Sequence, residues 1–431
     1  MTAAEHTYVA QNALRNSSDK ILTGQSPVRI LFFDHTASLG GGEIALLHLV
    51  SNLDRALYTP IVLLGAGGDL KDRLQTHGVE THVMPLAADI VSTRKDSLGP
   101  RSALRLGTLL RLARYAGKLG GFIRAQAIDI VHTNSLKSDI LGGIAGRLAG
   151  VPVIWHVRDR ISSDYLPDSV VRVFRVLCRH IPNFVIANSA ATLETLKLPG
   201  SQRSLVIHDA VGPHYAERAA APLARRPRSE RLRIGLVGRI TEWKGQHIFI
   251  RAAQRVAASL PDAEFFIIGS AMFGEHAYED ELHKLAQECG VENKVSFLGF
   301  RPDVDTLIES LDVLVHASVV PEPFGQVVIE GMAAGTPVVA TRGGGVTEIV
   351  EDGITGTLVS MGSVEEMADA VIATLCNNAR TEKMIVAARK AVLERFTIQT
   401  PVEKVQALYT RVLQRRGVRT ANALAAGVKS P

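Results

Sequence analysis

Short apolar runs rich in valine, isoleucine and leucine recur along the chain and alternate with longer stretches of helical periodicity. In the first half, Val28–Phe33, Tyr58–Leu64, Val79–Met84, Ile128–His132, Val153–Val157, Phe184–Ala187 and Leu205–Ile207 predict strands. In the second half, Leu232–Gly238, Phe265–Gly269, Val295–Gly299, Leu311–Val315 and Pro337–Ala340 repeat the pattern. Such runs are mostly apolar at successive positions, as expected for strands buried on both faces. Strand–helix alternation predicts the α/β class with doubly wound parallel sheets, whose ligands lie at the C-terminal strand ends.

Between the two sets, residues 211–231 are rich in proline, alanine and arginine and lack periodicity, which predicts a linker. The expected organisation is a disordered leader at 1–26, an N-terminal domain at 27–210, the linker, and a C-terminal domain at 232–395. A helix within 396–418 and a frayed tail at 419–431 follow. With 431 residues and 46% hydrophobic content the chain can fill two cores.

A net charge of +5, with no block of five like charges, gives no reason to expect nucleic-acid binding. Three widely spaced cysteines, Cys178, Cys289 and Cys376, read as reduced core residues of a cytoplasmic protein. The leader has no apolar segment of the kind a secretory signal needs, and no stretch is apolar enough to predict a transmembrane helix. Residues 94–124 carry eight basic residues against one acid, interleaved with leucines. That pattern fits either a helix lying on an anionic membrane or a packed helix with a solvated basic face. Arg172, Arg175 and Arg179 mark a second basic helix and lean toward the membrane reading.

The most informative stretch is His316–Gly335, which follows a buried strand. Pro321 and Pro323 set an extended turn, and helical spacing from Phe324 to Ala334 predicts a helix starting near Phe324. Glu322 and Glu330 frame this turn with seven residues between them. Over that spacing a helix rises about 12 Å, too far for a retaining glycosidase pair, which needs about 5 Å. A helix N-terminus suits a phosphate, and flanking carboxylates suit hydroxyls, so a sugar nucleotide is the natural ligand. Across from it, Arg239 and Lys244 follow the strand Leu232–Gly238, where two cations could hold a diphosphate.

Glu322-Pro-Phe-Gly-Gln-Val-Val-Ile-Glu330 resembles the Glu-x7-Glu signature of the retaining glycosyltransferases of family 4. The resemblance extends over residues 28–415 and implies the GT-B fold, two Rossmann-like domains facing a central cleft. It implies that Glu322 holds sugar hydroxyls, that Glu330 holds the ribose, and that Phe324, Gly325 and Gln326 line the nucleotide site. Arg239 and Lys244 match its Gly-Arg…Lys-Gly loop, which stabilises the departing diphosphate. Gly41 and Gly42 match a glycine loop facing the cleft. The loop at Phe300 and Arg301 is implied to hold the nucleobase, and the loop Thr341–Gly345 to lie beside the donor sugar. His156 matches a strand-end histidine that contacts the transferred sugar. Arg158 and Asp159 equally fit a structural ion pair, and Glu348 equally fits a helix cap.

The expected activity is transfer of a glycosyl unit from a nucleoside-diphosphate sugar, UDP or GDP, to a lipid-linked or glycan acceptor, with retention. Asp303-Val-Asp305 fits a helix N-cap more simply than a Mg²⁺ site, so no metal or other cofactor is expected. The expected location is the cytoplasm, with a peripheral position on the inner membrane, and the sequence leaves the oligomeric state open. A sugar-nucleotide epimerase of the same architecture and a non-catalytic membrane-surface protein are the competing readings.

Overall fold

The structure is a computed structural model that describes residues 26–86, 106–200, 203–222, 231–272 and 274–415. The leader up to residue 25, residues 94–105 of the basic segment, residues 223–230 of the expected linker and the tail from residue 416 lie outside the described residues.

The first sheet is seven-stranded and wholly parallel, built from β1 (Val28–Asp34), β2 (Tyr58–Leu64), β3 (Glu80–Val83), β4 (Ile130–Thr133), β5 (Val153–Val157), β6 (Phe184–Ala187) and β7 (Ser204–Val206). Its order is β3-β2-β1-β4-β5-β6-β7. The second is six-stranded and parallel: β8 (Leu232–Val237), β9 (Ala263–Ile268), β10 (Val295–Gly299), β11 (Val313–His316), β12 (Val338–Thr341) and β13 (Thr357–Val359). The order β10-β9-β8-β11-β12-β13 repeats the same winding. In each sheet the order reverses beside the first strand, at β1/β4 and β8/β11, which is where such folds bind ligands. β13 is the one strand of these sheets that the apolar pattern did not predict.

The expected linker departs from its reading. Pro213–Ala220 is a helix, with Pro213 in its first turn, and it buries Tyr215 and Ala219 in the C-terminal core with Met332, Val392 and Phe396. Proline is tolerated there because the first helical N–H has no partner to lose. The helix Gln399–Gln414 does the reverse, placing Val402, Val405, Leu408 and Tyr409 in the N-terminal core with Ile30, Phe32 and Ile130. Each domain thus lends the other a helix at the hinge.

The cysteines also differ in part from expectation. Cys178 is buried, with its thiol pushed up to about 12 by burial, but Cys289 is half-buried and Cys376 is exposed.

Candidate active site

On the C-terminal side, the strand β8 ends at Val237, and Glu242–Lys244 forms a single 3-10 turn before the helix Gln246–Ser259. Gly245 closes that turn at φ 73°, and a Cβ there would collide with the Ala317 carbonyl, so this turn demands glycine. The constraint aims Lys244 at the loop after β11. Its Nζ lies 2.6 Å from Glu322 Oε1.

Glu322 is buried, and its Oε1 also accepts from His316 Nε2 at 2.8 Å and from the Ser318 hydroxyl. Burial alone would raise its pKa, but the Lys244 ammonium and His316 more than offset this and hold the carboxyl well below the usual range. The loop Thr341–Gly345 packs directly on this turn, with Gly345 N donating to Glu322 O at 2.9 Å. Gly344, at φ 60°, forms a parallel bridge with Glu322, so the glycines here admit the protein's own backbone.

The helix starts at Gln326, with Gly325 as its N-cap at φ 118°, two residues later than the sequence suggested. Phe324 is therefore not at the helix end. Its ring is buried, stacked on His208 at 5.7 Å and against Phe396 at 6.0 Å. Gln326 Nε2 reaches across the cleft to Ala210 O, 3.2 Å, and also contacts Glu330 Oε1 at 3.2 Å. Burial pushes the Glu330 carboxyl up to about 7, with Gln326 partly opposing it.

Arg239 follows β8 and lies beside Glu275 and Gln246. Its Nε lies 3.8 Å from Glu275 Oε2, and its carbonyl accepts from Gln246 Nε2 at 2.9 Å. Arg301 forms a two-pronged pair with Asp303 at 2.8 and 2.7 Å, while the Phe300 ring stands 64% exposed beside it. Asp303 occupies the N-cap position of Val304–Ser310 but makes no capping bond, because its carboxylate faces Arg301. Among the described residues, no three His, Cys, Asp or Glu side chains gather as metal ligands would.

On the N-terminal side, Gly41 and Gly42 lie in the first turn of the helix Gly41–Ser51, which Gly40 caps. A Cβ on Gly41 would sit 3.9 Å from the Cβ of Gln326, so the two helix ends face each other across the cleft. Gly42 O accepts from Asn134 Nδ2, and Asn134 Oδ1 accepts from Arg158 Nε at 2.9 Å. Arg158 pairs with Asp209 rather than with the neighbouring Asp159, which instead accepts from Tyr165 Oη at 3.2 Å. His156 is buried at the end of β5, against His132 and Arg158.

Several contributors were not singled out by the sequence. Asp34 is fully buried at the end of β1 and accepts from Asn134 and Ser135. Asp209 and Tyr409 have partners remote in the chain, Arg158 and His132, whereas His316 and Ser318 lie within six residues of Glu322, which both contact. Glu348 caps a helix, but one in the other domain. Its two oxygens accept from Ala190 N and Ala191 N, 2.9 Å each, and from His208 Nε2, 2.9 Å. Beside it, Ser189 Oγ and Thr192 Oγ1 donate to Pro323 O at 2.5 and 3.1 Å, so the cleft is closed over the Glu322 turn.

The basic segment is resolved as the helix Leu106–Ala125, which buries Tyr115, Ala116, Leu119 and Ile123 and exposes Arg111, Arg114 and Lys118. Arg124, Arg175 and Arg179 donate to the carbonyls of Leu148, Thr195 and Ile161, and Lys197. No helix among the described residues is long and apolar enough to cross a membrane.

Two Rossmann-like domains closed over a buried carboxylate, a lysine and a helix N-terminus define a GT-B glycosyltransferase. Comparison with known proteins agrees: residues 223–391 match the family of glycosyl transferases group 1, and residues 40–197 match the glycosyl transferase 4-like domain. The chain belongs to the glycosyl transferases group 1 family. It is 31% identical over 332 residues to the D-inositol 3-phosphate glycosyltransferase of Mycobacterium tuberculosis, covering 69% of this chain and 67% of that one. The crystal structure of Anabaena Alr3699/HepE in complex with UDP and glucose superposes with a TM-score of 0.73, 27% identity, and coverage of 89% of this chain and 100% of that chain. A glycosyltransferase from Rickettsia africae has the same fold, with a TM-score of 0.73, 22% identity, and coverage of 90% and 99%.

Proposed function

We propose that this glycosyltransferase moves a sugar from a nucleoside-diphosphate sugar to an acceptor hydroxyl with retained anomeric configuration and without a required metal. The observation that carries the reading is the Lys244–Glu322 pair, buried in the closed cleft just before the helix at Gln326. The leading N–H groups of that helix, together with Lys244 and Arg239, would stabilise charge on the departing diphosphate. Glu322 then accepts from hydroxyls of the transferred sugar, and Glu330 from the ribose. No residue is assigned as a covalent nucleophile, and a phosphate oxygen of the nucleotide sugar helps deprotonate the acceptor.

UDP is the favoured nucleotide, because HepE was solved with UDP and with UDP-glucose. For the acceptor, a lipid-linked or envelope glycan precursor fits the exposed Val173 and Val176, flanked by Arg172, on the helix Asp168–His180. The test is a thermal-shift screen against UDP-, GDP- and ADP-sugars, followed by proton NMR of the anomeric centre in the product. Stabilisation by a UDP-sugar and a retained anomer support the reading. An inverted product, or an epimerised nucleotide sugar formed without acceptor, would refute it.

A further inference from the structure

His156 and His132 stand at the ends of neighbouring strands, and both rings are buried. Burial, reinforced by the nearby Arg158, holds both well below the ordinary histidine range, His132 down to about 3. Two neutral imidazoles must each carry one donor nitrogen and one acceptor nitrogen. Three contacts decide which is which. Arg158 Nη2 lies 3.4 Å from His156 Nδ1, and a guanidinium has only donors. His156 Nδ1 is therefore the acceptor, and His132 Nε2, 3.2 Å away, is the donor to it. His132 Nδ1 is then an acceptor, and the Tyr409 hydroxyl donates to it at 2.7 Å. The opposite arrangement would set the Arg158 donor against an N–H and leave the Tyr409 proton without this acceptor.

One nitrogen remains. His156 Nε2 must carry a proton, and among the described residues it is buried with no partner. The ring lines a small cavity with His48, Arg158, His208 and Asp209 at the floor of the cleft.

We propose that Tyr409 is a positioning residue: acting through His132, and together with Arg158 at Nδ1, it holds His156 with its proton on Nε2, so that His156 serves the transferred sugar as a hydrogen-bond donor. This rests on the reading of the cleft as a sugar-transfer site. In that tautomer Nε2 has no lone pair with which to take a proton, so His156 is excluded as a general base. The arrangement also ties the site to the hinge, since Tyr409 belongs to the helix that returns from the C-terminal domain.

The test is histidine-selective ¹⁵N labelling of the full chain, with ring correlation spectra at neutral pH and assignment by H132N and H156N. Wild type should show both histidines protonated at Nε2. Y409F keeps the ring and removes only the hydroxyl. It should move His132 toward mixed tautomers, with His156 following only in part because Arg158 still favours an acceptor at its Nδ1, and lower kcat about tenfold while KM for the nucleotide sugar changes less than about twofold. A wild-type His156 protonated at Nδ1 overturns the proposal even if Y409F fails to fold. Unchanged tautomers in a folded Y409F overturn it equally. A wild type with these tautomers that transfers no sugar sinks the functional reading instead.

Discussion

Lys244 and Glu322, separated by 78 residues, meet at 2.6 Å with little solvent around either. Each is the other's main compensation for leaving water, so removing one partner strands the other. The variant K244M should lose about 3 kcal/mol at neutral pH, whereas E322Q, which keeps the shape and one acceptor oxygen, should lose less. Both should reduce transfer at least a hundredfold, and circular dichroism should show E322Q folded. Because the Glu322 pKa is depressed in the folded state, its stabilisation is present above the unfolded value of 4.5 and fades as pH falls below it. The Tm gap between wild type and K244M should therefore shrink on acidification. A constant gap would mean that the pair is not ionised.

Glu330 has the opposite sign. Its carboxyl is raised to about 7 by burial, so the folded protein becomes less stable as pH rises from 4.5 through 7. E330Q removes the ionisable group. It should raise stability by about 1 to 2 kcal/mol at pH 8 and change little at pH 5, a difference that thermal unfolding at the two values reads directly. The same substitution should weaken nucleotide binding if the ionised carboxylate accepts from the ribose.

The strands and helices around these groups are legible in the sequence, but the contacts between them are not. Apolar runs report burial of a strand locally, which is why Tyr58–Leu64, Val153–Val157 and Phe184–Ala187 were found with their observed bounds, while the three-residue β13 was missed. The glutamate pair and the lysine were visible as a motif. That Lys244 would face Glu322 rather than solvent depends on the Gly245 turn packing on Ala317, a tertiary constraint. The Arg158–Asp209 pair and the Tyr409–His132 bond join residues 51 and 277 positions apart, and no periodicity encodes such partners. Phe324 was misplaced for a related reason: Gly325 at positive φ delays the helix, turning the ring toward His208.

Glu348 bridges the two domains. Its carboxylate answers two N–H groups at the start of the helix Ala190–Thr195 and one histidine, all from the opposite domain. Charge-assisted bonds of this kind contribute about 1.5 to 3 kcal/mol each at most, and several act together here. E348A should open the two domains in the absence of nucleotide, seen as an increase in radius of gyration by small-angle scattering, and saturating nucleotide sugar should restore part of the closure. An unchanged scattering curve would show that Ser189, Thr192 and Pro323 hold the cleft without it.

The basic face admits a direct test of membrane attachment. Arg124, Arg175 and Arg179 donate to the carbonyls of Leu148, Thr195 and Lys197, which fixes their side chains while leaving their charge in place. Arg111, Arg114 and Lys118 are exposed on the helix Leu106–Ala125, and on the helix Asp168–His180 Arg172 has Val173 and Val176, 57% and 54% exposed, beside it. Surface charges near an anionic bilayer contribute about 1 kcal/mol apiece, and two valines add a modest apolar term. Wild type should therefore sediment with vesicles containing anionic lipid, but not with neutral ones, and rising salt should release it. Exchanging Arg111, Arg114 and Lys118 for serine should abolish sedimentation, and V173S/V176S should weaken it several-fold, with transfer to a soluble acceptor intact in both. Equal binding to neutral vesicles, or none to anionic ones, would assign these helices to a solvated surface and separate the acceptor from the membrane.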